Sequence, residues 1–145
     1  MIEKIIYKNK LFALIVRGKY RNRKGINFFT PKEATQQFGY IKHKKGYIIQ
    51  PHQHRKRLTK IVTTTEVILL LKGSLKIDFY TEQRKYLFSR ILNGKDIVML
   101  VEGGHGFKVI KDVEMIEVKQ GPYSLIKDKV KFTGIYDKRN KIKKK

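Results

Sequence analysis

The stretch EVILLLKGSLKIDFY, Glu66 to Tyr80, carries the strongest structural signal in this chain of 145 residues. Its first part, EVILLLKG, is the most hydrophobic strand-like segment of the protein. Its second part alternates with period two, which is the pattern of a strand with two different faces. One face carries Leu75, Ile77 and Phe79, and the other carries Lys76, Asp78 and Tyr80. The sequence KGS between the parts is a turn signal, so we predict two strands here.

Similar short segments, rich in Ile, Val, Tyr and Phe and separated by turn signals such as KNK, NGKD and EGG, run along most of the chain. We predict strands at EKIIYK, LFALIVR, GYIKHK, GYIIQPH, TKIVT, EVILLLKG, SLKIDFYT, YLFSRIL, DIVMLV, HGFKVI, VEMIEVKQ and KVKFTG. A dozen short strands at close spacing favour an antiparallel sandwich or barrel. The expected fold class is therefore all-β.

Two segments depart from this pattern. TPKEATQQF predicts one helical turn, because Thr30 can cap it, Pro31 suits the first helical position and Glu33 follows Thr30 by three residues. DKRNKIKKK, at the end of the chain, is a charge run with little to bury and is expected to be disordered. We therefore divide the chain into N-terminal strands forming an arm (1–36), a barrel (37–133) and a basic tail (134–145).

Composition sets broad limits on function. Hydrophobic residues make up 41% of the chain, which suits one folded domain. The 34 Lys and Arg exceed the 12 Asp and Glu, for a formal net charge of +22. This excess suggests an anionic partner, although a compositional drift towards lysine explains it equally well. The absence of Cys excludes disulfides, and without a signal peptide or a long apolar run we expect a cytoplasmic protein with no membrane partner.

The histidines suggest a metal site. In GYIIQPHQHRKR, His52 and His54 stand two apart, and on a strand they would share a face about 7 Å from each other. Glu66 opens an apolar strand, where an unpaired carboxylate is costly, and His105 lies between glycines that allow close backbone approach. Imidazole with carboxylate suits several divalent ions. The alternative is that Glu66 pairs with a lysine and His105 only packs.

These residues resemble the two motifs of the cupin superfamily. Gly46 to Gly73 reads G-x5-H-x-H-x11-E-x6-G, and His105 follows Gly94 at the spacing of the second motif, G-x5-P-x-G-x2-H-x3-N. The resemblance implies a single-domain cupin, a double-stranded β-helix or jelly-roll barrel with an N-terminal β-arm. It also implies one divalent metal ion (Fe, Mn, Ni or Zn) held by His52, His54, Glu66 and His105.

The chain departs from the motifs at four points. Eleven residues separate His54 from Glu66, where the family has three or four. In the second motif, Leu100 replaces Pro, Glu102 replaces Gly and Val109 replaces Asn. The resemblance extends most specifically to small bacterial cupins that accompany genes for surface-polysaccharide and sugar-nucleotide synthesis. It names no reaction.

Further candidates surround the expected metal. Strand parity directs Ile48, Gln50, His52 and His54 inward. Gln50 is therefore a candidate contact of the substrate or of a metal ligand, and equally an ordinary polar residue of the barrel. Basic residues near the mouth of the barrel, Lys45, Arg55, Arg57 and Lys60, are candidates for holding a diphosphate, although each one taken singly is better explained as a solvated surface residue. The candidates for acid–base catalysis are His43, Tyr47 and Glu102, and Glu102 can equally serve to orient a ligand histidine. No nicotinamide or other organic cofactor motif is present.

Three functions follow, in order of preference. The first is a metal-dependent isomerase or epimerase acting on a nucleotide sugar or related phosphorylated sugar. The second is a sugar-binding or regulatory cupin without catalysis. The third, binding of nucleic acid through the basic surface, ranks last because no nucleic-acid signature is present. Because Glu3 to Arg17 holds two apolar strands, one of which would be an exposed edge, we also expect a homodimer.

Overall fold

The computed structural model describes residues 1–22, 24–124 and 128–136. Eight β-strands are defined there, and every strand pair is antiparallel, so the predicted all-β fold is confirmed. The strands are β1 (Ile2–Tyr7), β2 (Lys10–Val16), β3 (Gly25–Phe28), β4 (Gly39–Lys42), β5 (Glu66–Tyr80), β6 (Tyr86–Asn93), β7 (Ile97–Leu100) and β8 (Gly104–Lys119).

One curled sheet forms most of the molecule. Its strand order is β1-β2-β7-β5-β6, and β8 pairs with β5 along the other edge. The edge of β5 that faces away from β8 is divided, because Glu66–Leu69 pairs with β7 and Ser74–Tyr80 pairs with β6. β5 therefore belongs to two parts of the sheet that face each other across a concave interior, and the sheet forms a half-barrel.

The bend that curls the sheet lies at Gly73. The β5–β8 ladder shifts register between Leu70 and Leu75, and Gly73 has a φ of +88° within that interval. A Cβ on Gly73 would lie 1.9 Å from the carbonyl oxygen of Asp112. The prediction of two strands around KGS is therefore wrong, because this glycine permits a bulge in one long strand rather than a chain reversal. HGFKVI and VEMIEVKQ likewise form the single strand β8.

The hydrophobic core fills the concave side of the half-barrel. Leu75, Ile77 and Phe79, which the alternation in SLKIDFY places on one face, are at most 1% exposed and point inward. The core also contains Ile5, Phe12, Ala13, Ile15, Ile68, Leu70, Leu92, Val98 and Leu100. Asp78 and Tyr80, on the opposite face, are buried as well. Residues 128–136 lie over that face, and Tyr80 meets Phe132 at 5.1 Å between ring centroids.

The N-terminal strands join this sheet rather than standing apart from it. β1 and β2 pair with each other, and β2 also pairs with β7. Polar contacts tie the same region together, since Arg17 contacts both Glu3 and Asp96 at 3.0 Å. The outer edge of this part of the sheet is β1.

A small second sheet consists of β3 and β4, joined by the loop that was predicted to be helical. That prediction is wrong. The Gln37 side-chain amide donates to the carbonyls of Pro31 at 2.9 Å and Ala34 at 3.0 Å, while Thr30 Oγ1 accepts from the Phe38 amide at 3.1 Å. These side chains satisfy the backbone groups that a helix would have paired within itself.

Residues 43–65, which we call the histidine segment, contain no strand. They are exposed except for half-buried His43 and buried Thr65, so the strands predicted at GYIIQPH and TKIVT are wrong. The strand predicted at KVKFTG is also absent. A strand needs a partner edge, and these apolar runs have none here. The disorder predicted for the tail falls, beyond Tyr136, on residues outside the described ranges.

Candidate functional site

A concave site of about 920 Å³ opens beside the hydrophobic core. Its walls come from the end of β7, the start of β8 and residues 128–136, with Glu66 at the start of β5. The lining includes acidic, basic and aromatic side chains: Glu66, Asp78, Tyr80, Glu102, His105, Phe107, Glu117, Asp128, Lys129, Lys131, Phe132 and Tyr136. The volume lies within the usual range for sites that bind small molecules.

Glu66, in the lining of this site, contacts two basic side chains. Its Oε2 lies 3.1 Å from His105 Nε2 and its Oε1 lies 3.9 Å from Lys119 Nζ. The hydrogen bond from His105 holds the pKa of Glu66 below its usual range, opposing burial, which would raise it. Lys119 in turn contacts Asp128 at 2.7 Å, and that hydrogen bond raises the pKa of Lys119. His105, Glu66, Lys119 and Asp128 thus form one continuous series of contacts.

The curl of the β5–β8 ribbon brings these residues together. Lys119 stands directly opposite Glu66 in the ladder, whereas His105 stands opposite Phe79 near the other end of β5. Both ends of β8 can meet Glu66 only because β5 bends back on itself. Gly103 allows the short crossing from β7 to β8, since its φ is +75° and a Cβ would lie 2.7 Å from the Tyr80 carbonyl oxygen.

A second polar group lies at the side of the site formed by residues 128–136. Asp78 Oδ1 accepts a short hydrogen bond from Ser89, and Tyr136 Oη lies 3.5 Å from the same oxygen. Tyr80 Oη accepts from the Ile135 amide at 3.2 Å. Burial raises the pKa of Tyr80. Each of these groups has a protein partner, so they shape this wall of the site.

The four expected metal ligands lie in two separate pairs. Glu66 and His105 meet in the concave site, whereas His52 and His54 lie in the exposed histidine segment, with their ring centroids 5.3 Å apart. His52 Nδ1 lies 2.9 Å from the Gln50 carbonyl oxygen. Within the described ranges, no three His, Asp or Glu side chains are grouped so that they could hold a metal ion. The metal assignment stays a prediction.

The basic residues suggested for a diphosphate also lie in the histidine segment. Lys45, Arg55, Arg57 and Lys60 are exposed there, as is Gln50, and they are not among the residues that line the concave site. The cations that line the site are instead Lys129 and Lys131, and Lys119 approaches Glu66 of the lining. The sequence also suggested that Glu66 pairs with a lysine. It could not show that this lysine is Lys119.

The acid–base candidates are divided in the same way. His43 and Tyr47 stack on each other with ring centroids 3.9 Å apart, outside the concave site, and His43 Nδ1 is buried with no hydrogen-bond partner. Glu102 lines the site, where Lys10 Nζ lies 3.3 Å from its Oε2. Only Glu102 is therefore placed where it could contact a ligand.

Aromatic residues from the end of the chain were missed by sequence reasoning. Phe132 and Tyr136 line the site, and Lys108 lies over the Tyr136 ring at 4.8 Å. KVKFTG was interpreted as a strand because it belongs to the short segments rich in Ile, Val, Tyr and Phe. Whether such a segment pairs in a sheet or packs across one depends on the free edges available, which local sequence does not show.

No protein-family model matches this chain, and comparisons with curated proteins and with solved structures likewise give no match. The described part of the chain contains no helix long and apolar enough to cross a membrane. What the site can do is therefore argued from its own geometry.

Proposed function

We propose that this chain is a cupin whose concave site binds a small hydroxylated anion, a nucleotide sugar or a related phosphorylated sugar. The observation that carries the proposal is the 3.1 Å contact between Glu66 and His105 at a site of about 920 Å³. These two residues occupy the glutamate and second-motif histidine positions of the cupin pattern. A curled antiparallel sheet places them together.

The bend of the sheet supports the same family. Gly73 is the last glycine of the first cupin motif as it stands in this sequence. At that position the backbone requires a positive φ and leaves no room for a Cβ beside Asp112. Because only glycine fits this backbone position, the match of Gly73 to the motif has a structural reason, which a glycine in an open turn would lack.

The lining of the site supports a phosphorylated sugar as ligand. Glu66, Glu117 and Asp128 offer carboxylate oxygens that accept hydrogen bonds from hydroxyl groups. Phe107 and Phe132 offer apolar faces for a sugar ring or a base. Lys129 and Lys131 supply positive charge for phosphate.

A resident metal ion does not fit the described arrangement. Glu66 and His105 supply two donors, and a lysine also approaches the Glu66 carboxylate. A stable site for a divalent ion of this class needs at least a third protein donor. We propose an ion (Fe, Mn, Ni or Zn) only for a state in which His52 and His54 join the pair.

Binding without catalysis is the second candidate, and the state of the acid–base groups favours it. Glu66 is held by His105 and Lys119, Lys10 Nζ lies 3.3 Å from Glu102 Oε2, and His43 and Tyr47 lie outside the site. An isomerase or epimerase needs a group free to take a proton from the substrate. A sugar-binding or regulatory module needs none.

Thermal melting with a panel of nucleotide sugars tests the ligand class. A ligand at a hundredfold excess over Kd adds about 2.7 kcal/mol, so we expect a shift of several degrees, larger than free nucleotides or free sugars produce. Lys131→Gln should reduce the shift, whereas Lys56→Gln, on the exposed histidine segment, should not. No shift with any member of the panel would reject the nucleotide-sugar ligand.

Replacing Glu66 by Gln separates enzyme from binding module. If the protein is an enzyme, the variant should no longer convert the nucleotide sugar that raises the melting temperature, as measured by product formation. The variant should still melt cooperatively. A binding module has no turnover to lose in the unmodified protein. Elemental analysis after incubation with Fe, Mn, Ni or Zn tests the ion, and a content that stays near zero rejects it.

A further inference from the structure

Charge is divided unevenly along this chain. Residues 19–60, which we call the basic region, contain 12 Lys and Arg but a single acidic residue, Glu33. These 42 residues therefore have a formal charge of +11, which is half of the +22 of the whole chain. A uniform drift towards lysine would not remove the carboxylates from one long stretch. The charge of the basic region therefore needs an explanation of its own.

The cations of the basic region are placed to meet an outside partner. Those in the described ranges are all exposed: Lys19, Arg21, Lys24, Lys32, Lys42, Lys44, Lys45, Arg55, Lys56, Arg57 and Lys60. Within those ranges none of them forms an ion pair, whereas Lys10, Arg17 and Lys119 elsewhere do. No described residue of the region lines the concave site. The basic region therefore offers a second surface, away from that lining.

The small sheet of β3 and β4 lies within the basic region, and one of its faces is apolar and exposed. Ile26 and Ile41 stand directly opposite each other and share this face, and Phe28 follows Ile26 by two residues on the same side. The Phe28 ring lies across Gly39, where a Cβ would be 2.8 Å from it. Ile26, Phe28 and Ile41 are 58%, 59% and 56% exposed. We call these three residues the apolar face.

The other face of the small sheet is the covered one. Asn27 and Tyr40 stand opposite each other there, and both are half-buried. Tyr40 meets Tyr20 edge to face with ring centroids 5.3 Å apart, and Tyr20 meets Phe29 in the same way at 5.5 Å. An antiparallel sheet with one covered face normally turns its polar side chains to water. The small sheet does the reverse, since it exposes its isoleucines.

More apolar side chains are exposed just after the small sheet. The chain turns beyond β4, where the Tyr47 amide donates to the Lys44 carbonyl at 3.2 Å. Ile48 and Ile49 follow this turn and are 73% and 60% exposed. Lys24 Nζ lies 5.7 Å from the Tyr47 ring centroid, so the turn is beside the start of β3. Exposed apolar side chains rimmed by charge are typical of surfaces that bind a protein or a membrane.

We infer that the basic region binds the surface of a bilayer that contains anionic lipids. The apolar face enters the boundary between headgroups and acyl chains, and the lysines and arginines around it contact the anionic headgroups. Burial of apolar area and attraction between charges then act together at one surface. The expectation of no membrane partner rested on the lack of a spanning segment, and a surface contact needs none.

Two other occupants fit this surface less well. Single-stranded nucleic acid is bound largely by bases that stack on free aromatic rings. The ring of Tyr47 is already occupied, because His43 stacks on it at 3.9 Å between centroids and Lys24 lies over it. Phe28 is the one aromatic residue of the apolar face. A second copy of the chain would bring two regions of +11 together, which charge repulsion opposes.

A single tryptophan tests the contact, because the chain has none of its own. Phe28→Trp replaces a side chain of the apolar face, and Ile116→Trp on β8 is its matched control at 51% exposure. Vesicles of phosphatidylcholine with about 30% phosphatidylserine should shift the emission of the Phe28→Trp protein to shorter wavelength, since the indole leaves water. The Ile116→Trp protein should show no shift. Vesicles of phosphatidylcholine alone should shift neither protein.

Sedimentation with the same anionic vesicles tests the charges. Each lysine close to an anionic bilayer strengthens binding about fivefold, so Lys44→Gln with Lys45→Gln should weaken it about thirtyfold. Lys4→Gln with Lys111→Gln removes the same charge from exposed positions outside the basic region. That control should weaken binding no more than about twofold, because salt screens charges that lie away from the bilayer.

A second pair of variants tests the apolar face at constant charge. Ile26→Thr with Ile41→Thr keeps the β-branched shape and removes apolar area, and should weaken vesicle binding at least about tenfold. Ile116→Thr with Val118→Thr on β8 is the matched control and should leave binding unchanged. All four side chains are more than half exposed, so the variants should keep the fold, which thermal melting checks.

Three results would overturn the inference. The first is no binding to anionic vesicles, or binding without a shift in the emission of Phe28→Trp. The second is an equal loss from both lysine pairs, which would mean that net charge alone attracts the protein. The third is a single-stranded oligonucleotide that binds more tightly than the vesicles and displaces them, which would assign the surface to nucleic acid.

Discussion

β2 and β8 are both rich in apolar residues, but they differ in the number of strands they pair with and in how exposed their side chains are. β2 has a strand on each side, and Ala13 to Val16 are no more than 6% exposed. β8 has one described neighbour, and Ile110, Ile116 and Val118 are about half exposed, at 48%, 51% and 54%. In these two strands, apolar composition alone therefore does not decide burial.

The largest effect that should distinguish the two kinds of strand is truncation of a core side chain. Leu75→Ala removes a fully buried side chain and should lower the free energy of unfolding by about 3 to 5 kcal/mol. Ile116→Ala, on the outer face of β8 and 51% exposed, should cost less than about 1 kcal/mol. Urea unfolding of both variants measures the difference. Equal losses would mean that the outer face of β8 is covered in solution.

Substitution of the bend glycine should have the next largest effect. Gly73→Ala places a methyl group against the Asp112 carbonyl at a φ of +88°, and should cost about 3 kcal/mol. Gly46→Ala is its matched control, since Gly46 has a φ of +84° with open space around it and should cost only about 1 kcal/mol. Chemical denaturation compares them. A Gly73 variant as stable as the Gly46 variant would show that the strand bend tolerates a side chain.

The smallest of the three effects concerns the charge of Glu3 on β1, the strand that pairs with β2. Burial acts to raise the pKa of Glu3, but hydrogen bonds from Arg90 and Arg17 overcome it and lower that pKa below its ordinary value of 4.5. The ionised form therefore stabilises the fold above pH 4.5, and this contribution disappears as the pH falls further. Glu3→Gln should cost about 1 to 2 kcal/mol at pH 7 and progressively less below pH 4.5.

Glu114→Gln on β8 is the control for that effect. Its pair with Lys72 has both side chains at least 66% exposed, so its loss should change stability by no more than about 0.5 kcal/mol. Thermal melts of both variants between pH 3 and pH 7 give the comparison. A constant difference between Glu3→Gln and the unmodified protein across that range would contradict the assigned role of Glu3.

The fold could be predicted from sequence where the signal is local. Alternation in SLKIDFY correctly placed Leu75, Ile77 and Phe79 on one face, because pleat geometry fixes which residues share a face. It could not show that KGS lies inside one strand, since a glycine with positive φ serves a turn and a bulge equally well. β3 was missed for a related reason, because its four residues, GINF, are too short to show a period.

Only part of the site could be predicted from the sequence. Glu66 and His105, both singled out there, lie 3.1 Å apart, while their cupin motif positions and their role as metal ligands stay predictions. The i, i+2 spacing of His52 and His54 gives a direction only if a strand forms there, and strand formation depends on a distant edge. Lys119 and Asp128 carry no local pattern, because their pairing arises from the ladder opposite Glu66.

The contact of Glu66 with both ends of β8 also has a consequence for the order of folding. Glu66 leaves the ribosome well before His105 and Lys119, so β5 can pair with β8 only after a much later part of the chain has been synthesised. Pairing of β5 with β6 is local and can begin early. The polar cluster of Glu66, His105 and Lys119 forms only after β8 has paired along the whole length of β5. Formation of the cluster therefore reports completed folding, and its appearance in a refolding experiment should coincide with the slowest phase.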